Sequence, residues 1–117
     1  MPKRILVADD DPTVREVLRL MLDLEGHDVS VAADGHQALL LIARTRPDLV
    51  VLDLAMPGIS GLEVCRRIKH GSNPPPVLVL SAMDGAEDER AARAAGADDY
   101  IRKPFSPPDL LATIGRI

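Results

Sequence analysis

Short apolar runs alternate along this chain with stretches in which apolar residues recur every three or four positions. Lys3–Ala8 (KRILVA), Asp28–Ala33 (DVSVAA), Asp48–Leu54 (DLVVLDL), Pro76–Ala82 (PVLVLSA) and Asp99–Pro104 (DYIRKP) read as five strands. Within Leu49-Val50-Val51-Leu52 no polar residue interrupts, which suits a parallel sheet covered on both faces. Helical patterns fill the gaps. After Pro12, apolar residues at Val14, Val17, Leu18, Met21 and Leu22 share one helical face. Pro12 fits the first helical position, Asp11 then becomes the N-cap, and Gly26 ends the helix. A second helix follows Asp34 and runs to about Arg46, where Pro47 stops it. The third begins after Ser60 with the capping-box pattern Ser60-x-x-Glu63. The fourth spans about Glu87 to Ala95 before Gly96, and the fifth opens on Ser106 as cap with Pro107 first inside.

Five strands alternating with five helices predict a single doubly wound α/β domain of (βα)5 type, a five-stranded parallel sheet flanked by helices. The common strand order at this size is 2-1-3-4-5, the flavodoxin-like arrangement, with ligands beyond the carboxyl ends of the strands. Chemistry is therefore expected at those ends. Strand 1 ends in Asp9-Asp10, strand 3 in Asp53, strand 4 in Ser81 and strand 5 in Lys103-Pro104. Neighbouring strands lie about 4.8 Å apart, so these residues share one rim.

Two carboxylates about 5 Å apart repel by roughly 3 kcal/mol at an effective dielectric near 20. Three together raise a pKa or collect a cation. All-oxygen donors favour a hard octahedral ion, Mg2+ with Mn2+ as the alternative. Such a rim can also receive a phosphoryl group, with Lys103 pairing a phosphate oxygen and Ser81 donating a hydrogen bond. Asp53, the central acid, would be the nucleophile and become an aspartyl phosphate. Asp11 is set apart from this group by its capping role.

The motifs ILVADDDP, PDLVVLDLAMPGISG, VLVLSA and GADDYIRKPF occur in an order and at a spacing that resemble a response-regulator receiver domain, the phosphoacceptor of two-component signalling. The resemblance covers essentially the whole chain. It implies that Asp9 and Asp10 are the acidic pair holding Mg2+, that Asp53 is both phosphoacceptor and metal ligand, and that the Ala55 backbone carbonyl is a further ligand. It implies Ser81 as the switch hydroxyl, Tyr100 as the switch aromatic, Lys103 as the phosphate-pairing lysine and a cis Lys103–Pro104 bond. Ser81 stands where Thr is frequent, and Ala55 and Met83 flank the acceptor where phosphate lifetime is tuned. The implied donor is a sensor histidine kinase or a histidine phosphotransfer protein. Phosphorylation would reshape the surface of the fourth helix, fifth strand and fifth helix, which controls an output domain or partner and is a candidate homodimer contact. On this reading the chain is not an enzyme but a phosphoacceptor that assists its own phosphorylation and dephosphorylation.

Two other classes compete. Haloacid-dehalogenase-like phosphatases need a second carboxylate two residues after the nucleophile, and Ala55 cannot transfer a proton. A phosphorylation-independent interaction module would typically have lost an acid, the hydroxyl or the lysine, and all are present. Tyr100 also admits a plain packing role. Gly58 and Gly61 are expected to shape backbone, and Cys65 to fill core. His27, His36 and His70 share no metal-ligand spacing and read as surface residues.

Composition narrows the rest. Net charge is −4 from 14 basic and 18 acidic residues, the wrong sign for a surface that coats nucleic acid. Aromatics are 2% of the chain, too few for a base-stacking platform. No apolar stretch approaches the roughly 20 residues that cross a bilayer. With one cysteine, no internal disulfide can form, and a cytoplasmic location is expected. The final PPDLLATIGRI stops at Ile117 with no capping glycine or polar tail, so a longer chain with a C-terminal output domain is expected beside the stand-alone alternative.

Overall fold

Unbroken apolar runs along the central strands decide the architecture. The computed structural model describes residues 2–82 and 86–117; Met83, one of the two residues expected to flank the acceptor, lies outside them. The strands are β1 (Arg4–Ala8), β2 (Asp28–Ala32), β3 (Leu49–Asp53), β4 (Val77–Ser81) and β5 (Asp99–Arg102). The helices are α1 (Pro12–Leu24), α2 (Gly35–Thr45), α3 (Gly61–Lys69), α4 (Ala86–Ala94) and α5 (Pro107–Arg116). All strand pairs are parallel, in the order β2-β1-β3-β4-β5. Each predicted strand is present, one or two residues shorter than its apolar run.

Successive strand residues point to opposite faces. Ile5, Val7, Leu49, Val51, Leu78 and Leu80 pack under Leu18 and Leu22 of α1 and Leu110 and Ile114 of α5. Leu6, Ala8, Val50, Leu52, Val77 and Val79 pack under Ala38 of α2, Val64, Cys65 and Ile68 of α3, and Ala92 of α4. β1, β3 and β4 are thus clamped on both sides, which makes their ends firm supports. Cys65 is core, its thiol donating to the Ala95 carbonyl at 3.5 Å.

The caps follow the sequence closely. Asp11 accepts from the Thr13 N–H, Asp34 from Gln37, Ser60 from Glu63 and Ser106 from Asp109. Three expectations need correction. Val17 is 46% exposed rather than in the core, because the apolar face of α1 turns about Leu18 and Leu22 and leaves Val17 beside it. Glu63 does not reach back to close the capping box; its carboxylate turns forward to Arg66 and Arg67, one helical turn on. His27 is half-buried, and its Nδ1 accepts the Lys3 N–H at 3.0 Å, while His36 and His70 are exposed.

Two glycines shape the β3–α3 loop. Gly58 has φ +75°, a region that disfavours side chains. At Gly61 an added Cβ would sit 2.2 Å from the Asp53 carbonyl oxygen and 2.7 Å from the Leu54 Cα, so α3 starts hard against the end of β3. Gly61→Ala should therefore destabilise the domain by roughly 1–3 kcal/mol in urea unfolding. Gly115→Ala, where nothing lies within 4 Å, should leave the midpoint unchanged or slightly raised.

Candidate functional site

Register places the polar residues. Ala8 pairs with Leu52, so the next residues, Asp9 and Asp53, come level where β1 and β3 end. The Asp9 N–H donates to the Ala32 carbonyl and carries the β1–β2 ladder one step further. Ser81 pairs with Arg102, and the Lys103 N–H donates to the Ser81 carbonyl at 2.8 Å, which brings Lys103 to the same rim. Its bond to Pro104 is cis.

Side-chain parity then sorts the rim. Asp9 and Asp53 continue the alternation of Ile5, Val7, Leu49 and Val51, on the α1–α5 side. Ser81 continues Val77 and Val79, and Tyr100 packs against that same cluster, on the α2–α3–α4 side. Tyr100 is half-buried.

Asp9 is fully buried, Asp53 is 4% exposed and Ser81 1% exposed, whereas Asp10 and Ala55 are exposed. The Lys103 ammonium lies 2.7 Å from Asp9 Oδ2 and 3.5 Å from Asp53 Oδ1. Its tighter partner is thus Asp9, three strands away, and not the central acid two strands away. Asp9 Oδ1 accepts the Asp11 N–H at 3.0 Å. One carboxylate oxygen from each of Asp9, Asp10 and Asp53 falls within 4.8 Å of the others.

Burial raises the Asp53 pKa first, the Asp9 charge adds to it, and Lys103 with the Ala55 N–H opposes; the result is about 6, up from 3.8. At Lys103 burial pulls downward, but the hydrogen bond to Asp9 and the charges of Asp53 and Asp9 outweigh it, so its pKa is raised. Three clustered carboxylates share a single ammonium in direct ion-pair contact. The donor set is all oxygen, the kind a hard divalent ion such as Mg2+ takes, and its members lie within 4.8 Å of one another. The residues fit a small divalent ion.

Comparison with known proteins agrees with this geometry. Residues 5–115 match the family model of the response regulator receiver domain. Response regulator MprA of Mycolicibacterium vanbaalenii is 53% identical over 112 residues, covering 96% of this chain and 48% of that protein. The chain thus spans about half the length of the curated relatives it matches. The BeF3-activated N-terminal receiver domain of Klebsiella pneumoniae RstA superposes with a TM-score of 0.92 at 34% identity, covering 97% of this chain and 96% of that one. NtrX from Brucella abortus, crystallised in complex with ATP, gives 0.92 at 34% identity, covering 99% of this chain and 27% of that one. No described helix is long and apolar enough to cross a membrane.

Two outcomes follow for the metal-free protein. Because the folded Asp53 holds its proton up to about pH 6 while the unfolded one releases it near 3.8, its ionisation removes stability as pH rises through that window. Two units of difference amount to roughly 3 kcal/mol at most. Asp53→Asn should accordingly stabilise by about 1–3 kcal/mol in urea unfolding at pH 7.5, with the gain fading towards pH 4. Lys103→Met strands the Asp9 charge without a cation and should cost about 3 kcal/mol or more at the same pH, part of which Asp53→Asn restores in the double variant.

Proposed function

This chain belongs to the family of response-regulator receiver domains of two-component signalling, and from that premise we propose that Asp53 accepts a phosphoryl group in a Mg2+-dependent reaction. One observation carries the reading: three carboxylates within 4.8 Å of one another, with a lysine ammonium 2.7 and 3.5 Å from two of them.

Asp9, Asp10 and Asp53 hold the ion, with the Ala55 carbonyl as a further donor and Mn2+ as the alternative metal. When bound, the ion neutralises charge developing on the transferred phosphoryl group. The donor is a phosphohistidine of a sensor histidine kinase or histidine phosphotransfer protein. An Asp53 oxygen attacks phosphorus, a P–O bond forms, and the P–N bond breaks. Its electron pair returns to the imidazole nitrogen, which takes a proton. Asp53 suits this role because a pKa near 6 leaves it ionised at neutral pH and more basic than a solvated carboxylate.

Lys103 then pairs with a phosphoryl oxygen, a short movement from its place beside Asp9. Ser81 supplies its hydroxyl to the phosphoryl group, and Tyr100, on the same sheet face, turns inward. Their joint movement shifts a two-state equilibrium of the α4–β5–α5 surface. That surface controls an output domain or partner, or pairs with a second copy. The greater length of MprA supports a C-terminal output domain in the whole protein. The domain works in the cytoplasm as a phosphoacceptor that assists its own phosphorylation and dephosphorylation, and it does not itself bind nucleic acid.

Intact-mass spectrometry after incubation with acetyl phosphate checks the assignment. The wild-type protein should gain one phosphoryl mass with Mg2+ and none without it, and Asp53→Asn should gain none. Modification of Asp53→Asn to the wild-type extent would remove Asp53 from its role. An unmodified wild-type protein would favour the phosphorylation-independent module.

A further inference from the structure

Asp10 is the least constrained of the three clustered acids. Asp9 and Asp53 are buried and share the Lys103 ammonium, whereas Asp10 is exposed and, among the described residues, its carboxylate makes no hydrogen bond or ion pair. Its ligand oxygen nevertheless stands within 4.8 Å of theirs. The aim of this side chain has to come from the backbone.

Two hydrogen bonds bracket that backbone. Arg15, in the first turn of α1, donates from a terminal guanidinium nitrogen to the Asp9 carbonyl oxygen at 2.8 Å, which ties the Asp9–Asp10 peptide plane. The Asp11 N–H donates to Asp9 Oδ1 at 3.0 Å, which ties the Asp10–Asp11 plane. With the planes on either side held, φ and ψ of Asp10 are both set, and the direction of its Cα–Cβ bond follows. A cation in the first turn of a helix also opposes the macrodipole, so helix stability gives no reason for Arg15.

We propose that Arg15 is a positioning residue for Mg2+ at this rim, acting through the Asp9 carbonyl to aim Asp10 at the ion without touching it. The inference rests on the reading that Asp9, Asp10 and Asp53 hold the metal. Its sign separates it from simple electrostatics. Removing a nearby positive charge should strengthen the attraction for Mg2+, whereas releasing Asp10 should weaken binding.

Calorimetric titration of Mg2+ into the wild-type, Arg15→Met, Arg15→Lys and Asp10→Asn proteins decides it. Arg15→Met should raise the Kd about tenfold, the low end of the effect of outer partners that orient metal ligands. Arg15→Lys, which keeps a donor, should stay within about threefold of wild type. In an Asp10→Asn background, Arg15→Met should change the Kd by no more than about twofold, since the residue it positions is already gone. A Kd in Arg15→Met equal to or below the wild-type value would overturn the inference alone, as would a lysine variant as weak as the methionine variant. A wild-type protein that binds no Mg2+ would overturn the metal site and this inference together.

Discussion

One ammonium among three carboxylates is the constraint on which this domain turns. Lys103 is shared by Asp9 and Asp53 and is closer to Asp9. The arrangement balances one buried charge, leaves the second partly balanced and the exposed third unmet. Burial first, and the neighbouring Asp9 charge second, disfavour ionisation of Asp53 and raise its pKa. A divalent ion or a change of charge at Asp53 acts on a site already out of balance.

The fold makes this imbalance tolerable. β1, β3 and β4 are held between two apolar layers, so the ends from which Asp9, Asp53 and Ser81 project cannot spread to relieve repulsion. Gly61 brings α3 against the Asp53 backbone and closes the loop on one side. The period-two geometry of the strands also divides the labour. Asp9 and Asp53 lie on the α1–α5 side, while Ser81 and Tyr100 lie on the side of α3 and α4.

Much of this was legible in the chain because its local signals agree with the global fold. The caps at Asp11, Asp34, Ser60 and Ser106 each make the bond their residue type predicts, and every apolar run became a strand. The exceptions share a cause. Val17 falls on a helical stripe by spacing, but a stripe has width, and only the sheet beneath decides which edge is covered. Glu63 had two local partners within reach, and the forward arginines offered charge that the backbone N–H could not. His27 carried no spacing signal because its partner, the Lys3 backbone, is distant in sequence. Arg15 shares its side of α1 with the buried Leu18 and Leu22, and its contact with Asp9 depends on how that helix leaves the strand.

By itself the sequence determined which polar residues stand at the strand ends and that a parallel sheet would gather them, since apolar runs, capping and turn residues are local properties of the chain. It left open which acid the lysine prefers, how far each is buried and what orients the exposed one. Those depend on strand register and on the docking of α1. Only packing over the whole sheet sets them, because distances of 2.7 and 3.5 Å between residues 94 and 50 positions apart are not encoded in any one segment.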